Sequence, residues 1–246
     1  METGLKGKTV LITGASRNMG HLAALAFARE GANLAICTSA KMKELNEVAA
    51  ELRALGAKVV AAQCDVADQR AVTGFVKTVQ AELGSVHVAF NNAVYRGTES
   101  PFLEEDDEAW QRNIAVNLTG PRNICRAVIP LMIKQRWGRI INFSGIAPYL
   151  GTSTSKAMSK LGIVGLTRGL AREYAQYDVT ANCIAPGTIE VERDAFQKDK
   201  PLRAGQPIRR MGKPQEVVSL MLYLASENAG FITGQCYMVN GGMYFQ

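Results

Sequence analysis

Short runs of β-branched and apolar residues alternate along the chain with longer segments that have the 3.6-residue period of amphipathic helices. The runs predicted as strands are Thr9–Thr13, Asn33–Cys37, Lys58–Cys64, Val86–Asn91, Arg139–Phe143, Val179–Ile184 and Cys236–Val239. The segments between them include Lys41–Leu55, Gln69–Leu83 and Thr119–Gln135. This alternation is typical of a parallel sheet with helices on both faces. We predict an α/β fold with a doubly wound parallel sheet of about seven strands, in one domain over residues 1–246.

The composition argues against several classes of protein. Hydrophobic residues make up 47% and charged residues 20% of the 246 positions, which is ordinary for a globular protein with its own core. Residues 1–8 are too polar for a signal peptide, and no run of about 18 apolar residues predicts a membrane span. The net charge of +6 comes without a nucleic-acid recognition motif, so we expect neither nucleic acid nor membrane as a partner.

The five cysteines are scattered and odd in number, and none belongs to a C-x-x-C pair. Most of them fall in apolar strand or helix patterns, which favours buried free thiols in a reducing compartment. We therefore expect a cytoplasmic protein without a metal site.

Basic residues collect near one segment late in the chain. They are Arg193, Lys198, Lys200, Arg203, Arg209 and Arg210. One interpretation is a solvated loop, and the other is a clamp on an anionic substrate. The sequence leaves both open.

A glycine-containing turn follows the first predicted strand and opens a helix, with the sequence Thr13-Gly14-Ala15-Ser16-Arg17-Asn18-Met19-Gly20. Glycine allows the backbone to approach a pyrophosphate closely, and the helix N-terminus attracts its charge. The turn resembles the T-G-x-x-x-G-x-G motif of the short-chain dehydrogenase/reductase family, with Asn18 at the middle glycine. Because Asn tolerates positive φ better than most residues, we expect the turn to be kept. The candidate cofactor contacts are Gly14, Ser16, Arg17, Asn18, Met19 and Gly20.

The resemblance covers nearly the whole chain and implies a Rossmann-like fold that binds a nicotinamide dinucleotide at the carboxyl ends of its strands. Further cofactor contacts that it implies are Asp65, Val66, Asn92, Ala93, Pro186, Gly187 and Ile189. The loop after the fourth strand is a further departure from the family. Where the family has glycine after Asn-Asn-Ala, this chain has Val94, whose β-branched side chain disfavours a positive φ.

The end of the second predicted strand bears on the choice between NADPH and NADH. An acidic residue there would bind the adenosine ribose and exclude a 2′-phosphate, and none is present. Ser39 lies at this end, and Arg17 and Lys41 could face a phosphate. We therefore predict NADPH over NADH. The alternative is that Ser39 and Lys41 only start the next helix, as an N-cap and a solvated charge.

The catalytic motif of the family is incomplete in this chain. In its Tyr-x-x-x-Lys motif the tyrosine protonates a carbonyl oxygen, while the lysine lowers the tyrosine pKa and binds the nicotinamide ribose. Lys156 resembles the lysine, but Thr152 stands at the tyrosine, and an aliphatic hydroxyl is too weak an acid. Asn117 resembles the asparagine that holds a water of the proton relay. Gly145 falls at the catalytic serine, and Ser144 is the neighbouring hydroxyl.

Tyr149 is a candidate for the missing phenol. At 100° per residue it lies about 20° from Lys156 around a helix axis, so both share a face with Thr152 if the helix begins early. The spacing Tyr149-x6-Lys156 resembles that of enoyl reductases, a branch of the family that reduces conjugated C=C bonds. The alternative is that Pro148 and Gly151 keep Tyr149 on an irregular turn at the rim.

Three functions are compatible with these motifs. We predict an NADP(H)-dependent oxidoreductase that acts on a small carbonyl or a conjugated enone or enoyl compound, with an atypical proton donor. The alternatives are a non-redox lyase, hydratase or isomerase on the same scaffold, and a catalytically inactive homologue. We expect a small-molecule substrate, with anionic and thioester-linked compounds both considered. The resemblance, together with glycines at 162, 165 and 169 on one helix stripe, implies a homo-oligomer, either a dimer or a tetramer.

Overall fold

The computed structural model describes residues 2–97, 100–191 and 205–245. Within these ranges the strands are β1 Thr9–Thr13, β2 Asn33–Thr38, β3 Val59–Gln63, β4 Val88–Asn91, β5 Gly138–Phe143, β6 Val179–Pro186 and β7 Cys236–Val239. The α-helices there are α1 Asn18–Arg29, α2 Met42–Ala54, α3 Gln69–Leu83, α4 Asp107–Ile114, α5 Gly120–Gln135, α6 Ala147–Leu150, α7 Thr154–Tyr174 and α8 Pro214–Ala225. Every predicted strand is present, with its ends shifted by at most two residues.

The strands pair in parallel in the order β3-β2-β1-β4-β5-β6-β7. The chain winds outward from β1 to β3 and then returns to add β4 on the other side of β1. The carboxyl ends of β1 and β4 therefore flank the crevice where such sheets bind ligands. The predicted α/β fold, a Rossmann-like doubly wound sheet covered on both faces, is confirmed.

Alternate residues of each strand enter different cores, which explains why the strands are continuously apolar. In β1, Val10 and Ile12 pack beneath α1, α2 and α8, whereas Leu11 packs beneath α3 and α5. The five cysteines are free thiols and four of them are buried, as predicted. Among the described residues, no helix has both the length and the apolarity to cross a bilayer.

A chain of buried amides joins the carboxyl ends of the central strands to α7. The Asn91 Nδ2 donates to Asn142 Oδ1 at 2.7 Å, and the Asn142 Nδ2 donates to Thr167 Oγ1 at 2.9 Å. Thr167 in turn donates to the carbonyl of Ile163 at 2.7 Å. These bonds connect β4, β5 and α7 where the sheet meets the ligand crevice.

The start of α7 distinguishes the two interpretations of Tyr149. Tyr149 lies on the separate four-residue helix α6, and Gly151 and Ser153 then adopt positive φ of 64° and 56°. These conformations break the helix, so α7 begins only at Thr154. Tyr149, Thr152 and Lys156 therefore do not share one continuous helix face, and the structure agrees with the alternative in which the turn at Gly151 keeps Tyr149 off α7.

The three glycines of α7 have different surroundings. A Cβ on Gly162 would lie 3.0 Å from Leu118 Cδ1, so this glycine serves packing within the chain. At Gly165 and Gly169 no described atom lies within 4 Å of such a Cβ. The homo-oligomer therefore stays a prediction.

The amide chain predicts a stability effect. Replacing Asn142 by Ala removes the oxygen acceptor of Asn91 inside the core and leaves its Nδ2 only a 3.6 Å contact with Cys125 Sγ. A poorly satisfied buried donor costs about 2 kcal/mol. We expect Asn142→Ala to lower the free energy of unfolding by that amount in urea denaturation. The matched control is Asn46→Ala on the exposed side of α2, which we expect to leave stability within about 0.5 kcal/mol. Equal effects of the two substitutions would contradict the role of the amide chain.

Candidate active site

The turn between β1 and α1 brings backbone segments unusually close together. Gly14 has a φ of 65°, and a Cβ on it would lie 2.9 Å from Cα of Ala93. A Cβ on Gly20 would lie 2.5 Å from the carbonyl oxygen of Gly14, so α1 begins directly against the turn. Asn18 has a φ of 52°, which confirms that asparagine keeps the turn in place of the middle glycine.

The first turn of α1 has the features of an anion site. Arg17 at its N-cap makes no capping hydrogen bond through its side chain, and the first turn holds no acidic residue. All of α1 lies within the described residues. The backbone N–H groups that begin a helix lack intrahelical acceptors, and the helix dipole adds positive potential there. A phosphate at this end of α1 would satisfy those groups.

A cavity of about 400 Å³ extends from this turn past the ends of β2, β3 and β4. Of the predicted cofactor contacts, the ones that line it are Gly14, Ser16, Arg17, Asn18, Met19, Ser39, Asp65, Val66, Asn92 and Ala93. The basic residues around it are Arg17, Lys41, Arg96 and Arg112. The structure thus brings most of the predicted contacts to one groove, and adds two arginines that the sequence analysis missed.

Asp65 is held by an arginine from a distant part of the chain. Its Oδ1 accepts from the Ala67 backbone N–H at 3.0 Å, and its Oδ2 accepts from Arg112 of α4 at 2.8 Å. The ion pair orients the carboxylate at the groove wall and offsets its negative charge. Arg112 carries no motif in the sequence, so only the packing of α4 against the groove reveals it.

Asn92 and Ala93 brace the turn from the side of β4. The Asn92 amide donates to the carbonyls of Thr13 and Gly14, both at 2.9 Å. The backbone N–H groups of Asn92 and Ala93 both donate to Thr13 Oγ1 at 3.0 Å. Val94, which follows, does not adopt a positive φ, so the backbone here differs from one that requires glycine.

The predicted contacts after β6 lie at the same sheet edge but do not line the 400 Å³ cavity described above. Pro186 ends β6, and a Cβ on Gly187 would lie 2.9 Å from Cα of Asn240. Ile189 is buried and forms a bridge with Gly212. These residues therefore shape a neighbouring part of the edge, where the loop after β7 packs.

Asn117 lies in a π-helical turn, Ala115–Thr119, that joins α4 to α5. Its Nδ2 donates to the carbonyl of Tyr95 and to Asn113 Oδ1, and its Oδ1 accepts from the Tyr95 N–H, all at 2.8 Å. The side chain thus fixes the loop after β4. Widened turns of this kind are frequent at functional sites because they redirect backbone carbonyls.

Lys160, one turn beyond Lys156, reaches the carboxyl end of β5. Its Nζ donates to the carbonyl of Phe143 at 3.0 Å, and Ser144 Oγ donates to the Lys160 carbonyl at 2.8 Å. Burial lowers the pKa of Lys160 to about 8, the neighbouring Cys183 opposes this change, and the positive charge of Lys156 adds to it. These contacts fix the Lys160 ammonium at the carboxyl end of β5.

The sequence analysis overlooked Lys160 because Lys156 is the first lysine after the hydroxyl-rich run. Helical spacing could have found it. Lys160 precedes Ile163, Val164, Thr167 and Ala171 by three, four, seven and eleven residues, and all four are buried. A lysine on the buried stripe of a helix requires a specific role, since its charge is costly to bury.

The other predicted catalytic residues lie around this lysine. Lys156 is partly buried on α7, and Ser144 is buried with its hydroxyl committed to the Lys160 carbonyl. Thr152 is exposed before the helix, where its N–H donates to the carbonyl of Ala147 at 3.1 Å. At Gly145 no described atom lies within 4 Å of a Cβ position, so the place of a serine is open space.

The geometry of Tyr149 does not support its expected role as a proton donor. Its hydroxyl lies 3.4 Å from Cys236 Sγ on β7, and its ring packs on Tyr244 with centroids 5.1 Å apart. Burial and the hydrogen bond with Cys236 raise the pKa of the phenol above its usual range. A weaker acid directed at a thiol is poorly placed to protonate a carbonyl oxygen.

The basic segment is only partly described. Arg193, Lys198, Lys200 and Arg203 lie outside the described residues. Arg210 forms a two-pronged ion pair with Glu216, with N–O distances of 2.8 and 2.6 Å. This pairing leaves Arg210 a poor member of an anion clamp. No group of three or more His, Cys, Asp or Glu side chains among the described residues could hold a metal ion.

The chain is similar to known proteins over nearly its whole length. Residues 14–244 match the family model described as enoyl-(acyl carrier protein) reductase. The 3-oxoacyl-(acyl-carrier-protein) reductase FabG of Staphylococcus aureus is 34% identical over 242 residues, which cover 96% of this chain and 98% of the relative. FabG of Thermotoga maritima is 35% identical over 245 residues, with 97% and 98% coverage.

Solved structures show the same architecture. A short-chain type dehydrogenase/reductase from Mycobacterium marinum has a TM-score of 0.91 at 31% identity and covers 98% of this chain and 97% of its own. Levodione reductase has a TM-score of 0.90 at 26% identity, with 97% and 98% coverage. The chain belongs to the short-chain dehydrogenase/reductase family. It is an oxidoreductase of that family, which disfavours the non-redox and inactive alternatives.

We predict that the reactivity of the Cys236 thiol, which lies beside Tyr149, depends on pH. Hydrogen bonds from Cys183 and Tyr149 lower the pKa of Cys236 to about 7 against the opposing effect of burial, whereas burial raises the pKa of Cys125 to about 12. Since only the thiolate reacts, we expect alkylation of Cys236 by iodoacetamide to rise as pH increases through about 7, with Cys125 unreactive. Peptide mass spectrometry measures both sites.

The control for this reaction is Tyr149→Phe, which removes one hydrogen bond to the thiolate. We expect it to shift the rise in Cys236 alkylation to higher pH. An unshifted profile, or a wild-type rise that begins only near the ordinary cysteine pKa of about 8.5, would contradict the Tyr149–Cys236 contact.

Proposed function

We propose that the protein is an NADPH-dependent reductase that converts a small carbonyl compound to an alcohol. The observation that carries the proposal is the groove at the start of α1. There an uncapped helix N-terminus, Gly14 and Asn18 at positive φ, and four basic side chains surround one cavity. A dinucleotide with several phosphates matches that combination of backbone donors and positive charge.

The groove supports NADPH over NADH. Arg17, Ser39 and Lys41 line the cavity beside the end of β2, and no acidic residue stands at that strand end to bind the ribose in their place. Lys41 lies 3.7 Å from Glu44, an exposed pair that is easily exchanged for a phosphate. A 2′-phosphate would therefore meet cations at this end of the groove.

Lys160 and Asn117 are the residues that we assign to the nicotinamide end. When bound, NADPH supplies a hydride to the substrate. The ammonium of Lys160 has three N–H donors, and the bond to Phe143 uses one, so two are left for ribose hydroxyls. The pKa of about 8 keeps Lys160 mostly charged at neutral pH. Asn117 holds the loop after β4 in position beside this end.

A carbonyl substrate is favoured over a conjugated C=C bond. The enoyl-reductase interpretation depended on Tyr149, and the hydroxyl of Tyr149 lies against Cys236. The FabG relatives are named for the reduction of 3-oxoacyl thioesters, which are ketones linked to a carrier. We therefore propose a 3-oxoacyl thioester or a similar small ketone as the substrate, and a homo-oligomer as the working form.

The cofactor proposal is tested by fluorescence titration with NADPH and with NADH. We expect the double variant Arg17→Gln/Lys41→Gln to bind NADPH about tenfold or more weakly, because two charge-assisted contacts to the 2′-phosphate are lost. NADH binding should change little. The matched control is Lys43→Gln, an exposed lysine of α2 that does not line the groove. Equal wild-type affinity for both nucleotides would contradict the preference for NADPH.

The reaction is tested with two thioesters of the same length, acetoacetyl- and crotonyl-N-acetylcysteamine. We expect NADPH to be oxidised with the first, which carries a ketone, and much more slowly with the second, which carries a conjugated C=C bond. Loss of NADPH absorbance measures both rates. Faster turnover of the crotonyl thioester would favour an enoyl reductase, and NADPH binding without turnover of either would contradict the proposed carbonyl reduction.

A further inference from the structure

Two lysines stand one turn apart on α7 at the ligand edge of the sheet. Lys156 and Lys160 are separated by four residues, which places them about 40° apart around the axis and about 6 Å along it. Lys160 is fixed to the carbonyl of Phe143, and the charge of Lys156 acts on the ammonium of Lys160. Both side chains therefore lie near the carboxyl end of β5.

A second lysine at position 156, one helical turn from Lys160, is unexpected. Ammonium groups of like charge repel each other, so the pair is unfavourable for stability unless each has a separate use. Lys160 has its use in the bond to β5 and, in the proposed function, in binding the ribose. If Lys160 is the lysine of the Tyr-x-x-x-Lys motif, the tyrosine position falls four residues earlier. Lys156 occupies that position.

The hydroxyl groups near this edge are poor proton donors for a substrate. Tyr149 is directed at Cys236, and Ser144 donates to the Lys160 carbonyl. Thr152 is exposed and lies before the helix, and Gly145 has no hydroxyl at all. Tyr95 lines the nucleotide groove and is therefore the phenol that the test compares with Lys156.

We propose that Lys156 is the proton donor of this reductase, and the proposal rests on the carbonyl reduction proposed above. As the carbonyl carbon accepts hydride from NADPH, its oxygen takes a proton from the Lys156 ammonium. An N–H bond breaks and an O–H bond forms, so the products are the alcohol, NADP⁺ and a neutral amine. Water then returns a proton to the amine.

Two substitutions at Lys156 separate a proton donor from a fixed charge. Lys156→Met keeps the length of the side chain without the proton, and Lys156→Arg keeps the charge on a group that does not deprotonate in proteins. We expect both to lower kcat for the acetoacetyl thioester by about 100-fold or more. Both should bind NADPH with unchanged affinity in the fluorescence titration. The matched control is Lys77→Met on the exposed side of α3, which should keep wild-type kcat.

A measurement that does not depend on turnover uses acetic anhydride labelling of the wild-type protein. Because the proposal places the Lys156 amine beside the bound nicotinamide, we expect NADP⁺ to slow its acetylation. Acetylation of Lys77 should not change. Peptide mass spectrometry follows both lysines in the same sample. Equal labelling of Lys156 with and without NADP⁺ would overturn the proposal.

The outcomes separate this proposal from the proposed function. The proposed role of Lys156 as proton donor is overturned if Lys156→Met keeps full kcat or if Lys156→Arg restores it. In either case the proposed carbonyl reduction still stands. Loss of kcat in Tyr95→Phe, with Lys156→Met active, overturns the role of Lys156 in favour of the phenol. If the wild-type protein binds NADPH but reduces neither thioester, the proposed carbonyl reduction is contradicted. The role of Lys156 as its proton donor is then contradicted as well.

Discussion

Two hydrogen bonds between the carboxyl end of β5 and α7 hold the catalytic end of the molecule together. Ser144 donates to the carbonyl of Lys160, and Lys160 donates back to the carbonyl of Phe143. The buried amides of Asn91 and Asn142 extend the connection to β4 and to Thr167. Because α7 carries both lysines of the site, these bonds set the position of its charges relative to the sheet edge. A helix docked by apolar contacts alone would allow small shifts in register, which directional bonds to strand carbonyls resist.

The nucleotide end depends mainly on backbone geometry, and this explains why it tolerates departures from the family motif. Gly14 and Gly20 cannot carry a side chain without striking Ala93 or the Gly14 carbonyl. The middle glycine is different, since it needs only a positive φ, and Asn18 supplies one of 52°. After β4, Val94 does not adopt a positive φ, so its β-branched side chain is accommodated. Steric exclusion therefore requires glycine at positions 14 and 20, whereas positions 18 and 94 accept other residues.

The catalytic end differs from the family in the chemistry of its side chains, while the backbone frame is kept. The serine position is open space at Gly145, and the phenol of Tyr149 is engaged by Cys236 of β7. Positive charge replaces the lost hydroxyls, since Lys156 and Lys160 stand together on one helix face. In the proposed reaction, these cations would stabilise the negative charge that develops on the substrate oxygen.

The alternation of apolar runs and amphipathic segments was sufficient to predict the parallel sheet and its seven strands, because strand and helix periods are local properties of the chain. Most residues of the nucleotide groove were predicted from motifs that resemble the family. The motif residues around Gly14 and Asp65 follow strand ends directly, so topology alone brings them together. The sequence could not decide where α7 begins, because that depended on the positive φ of Ser153. Nor could it choose between two lysines one turn apart, or find Arg112 beside Asp65. Those outcomes depend on contacts between segments far apart in the chain, and only tertiary packing determines which side chain reaches which strand end.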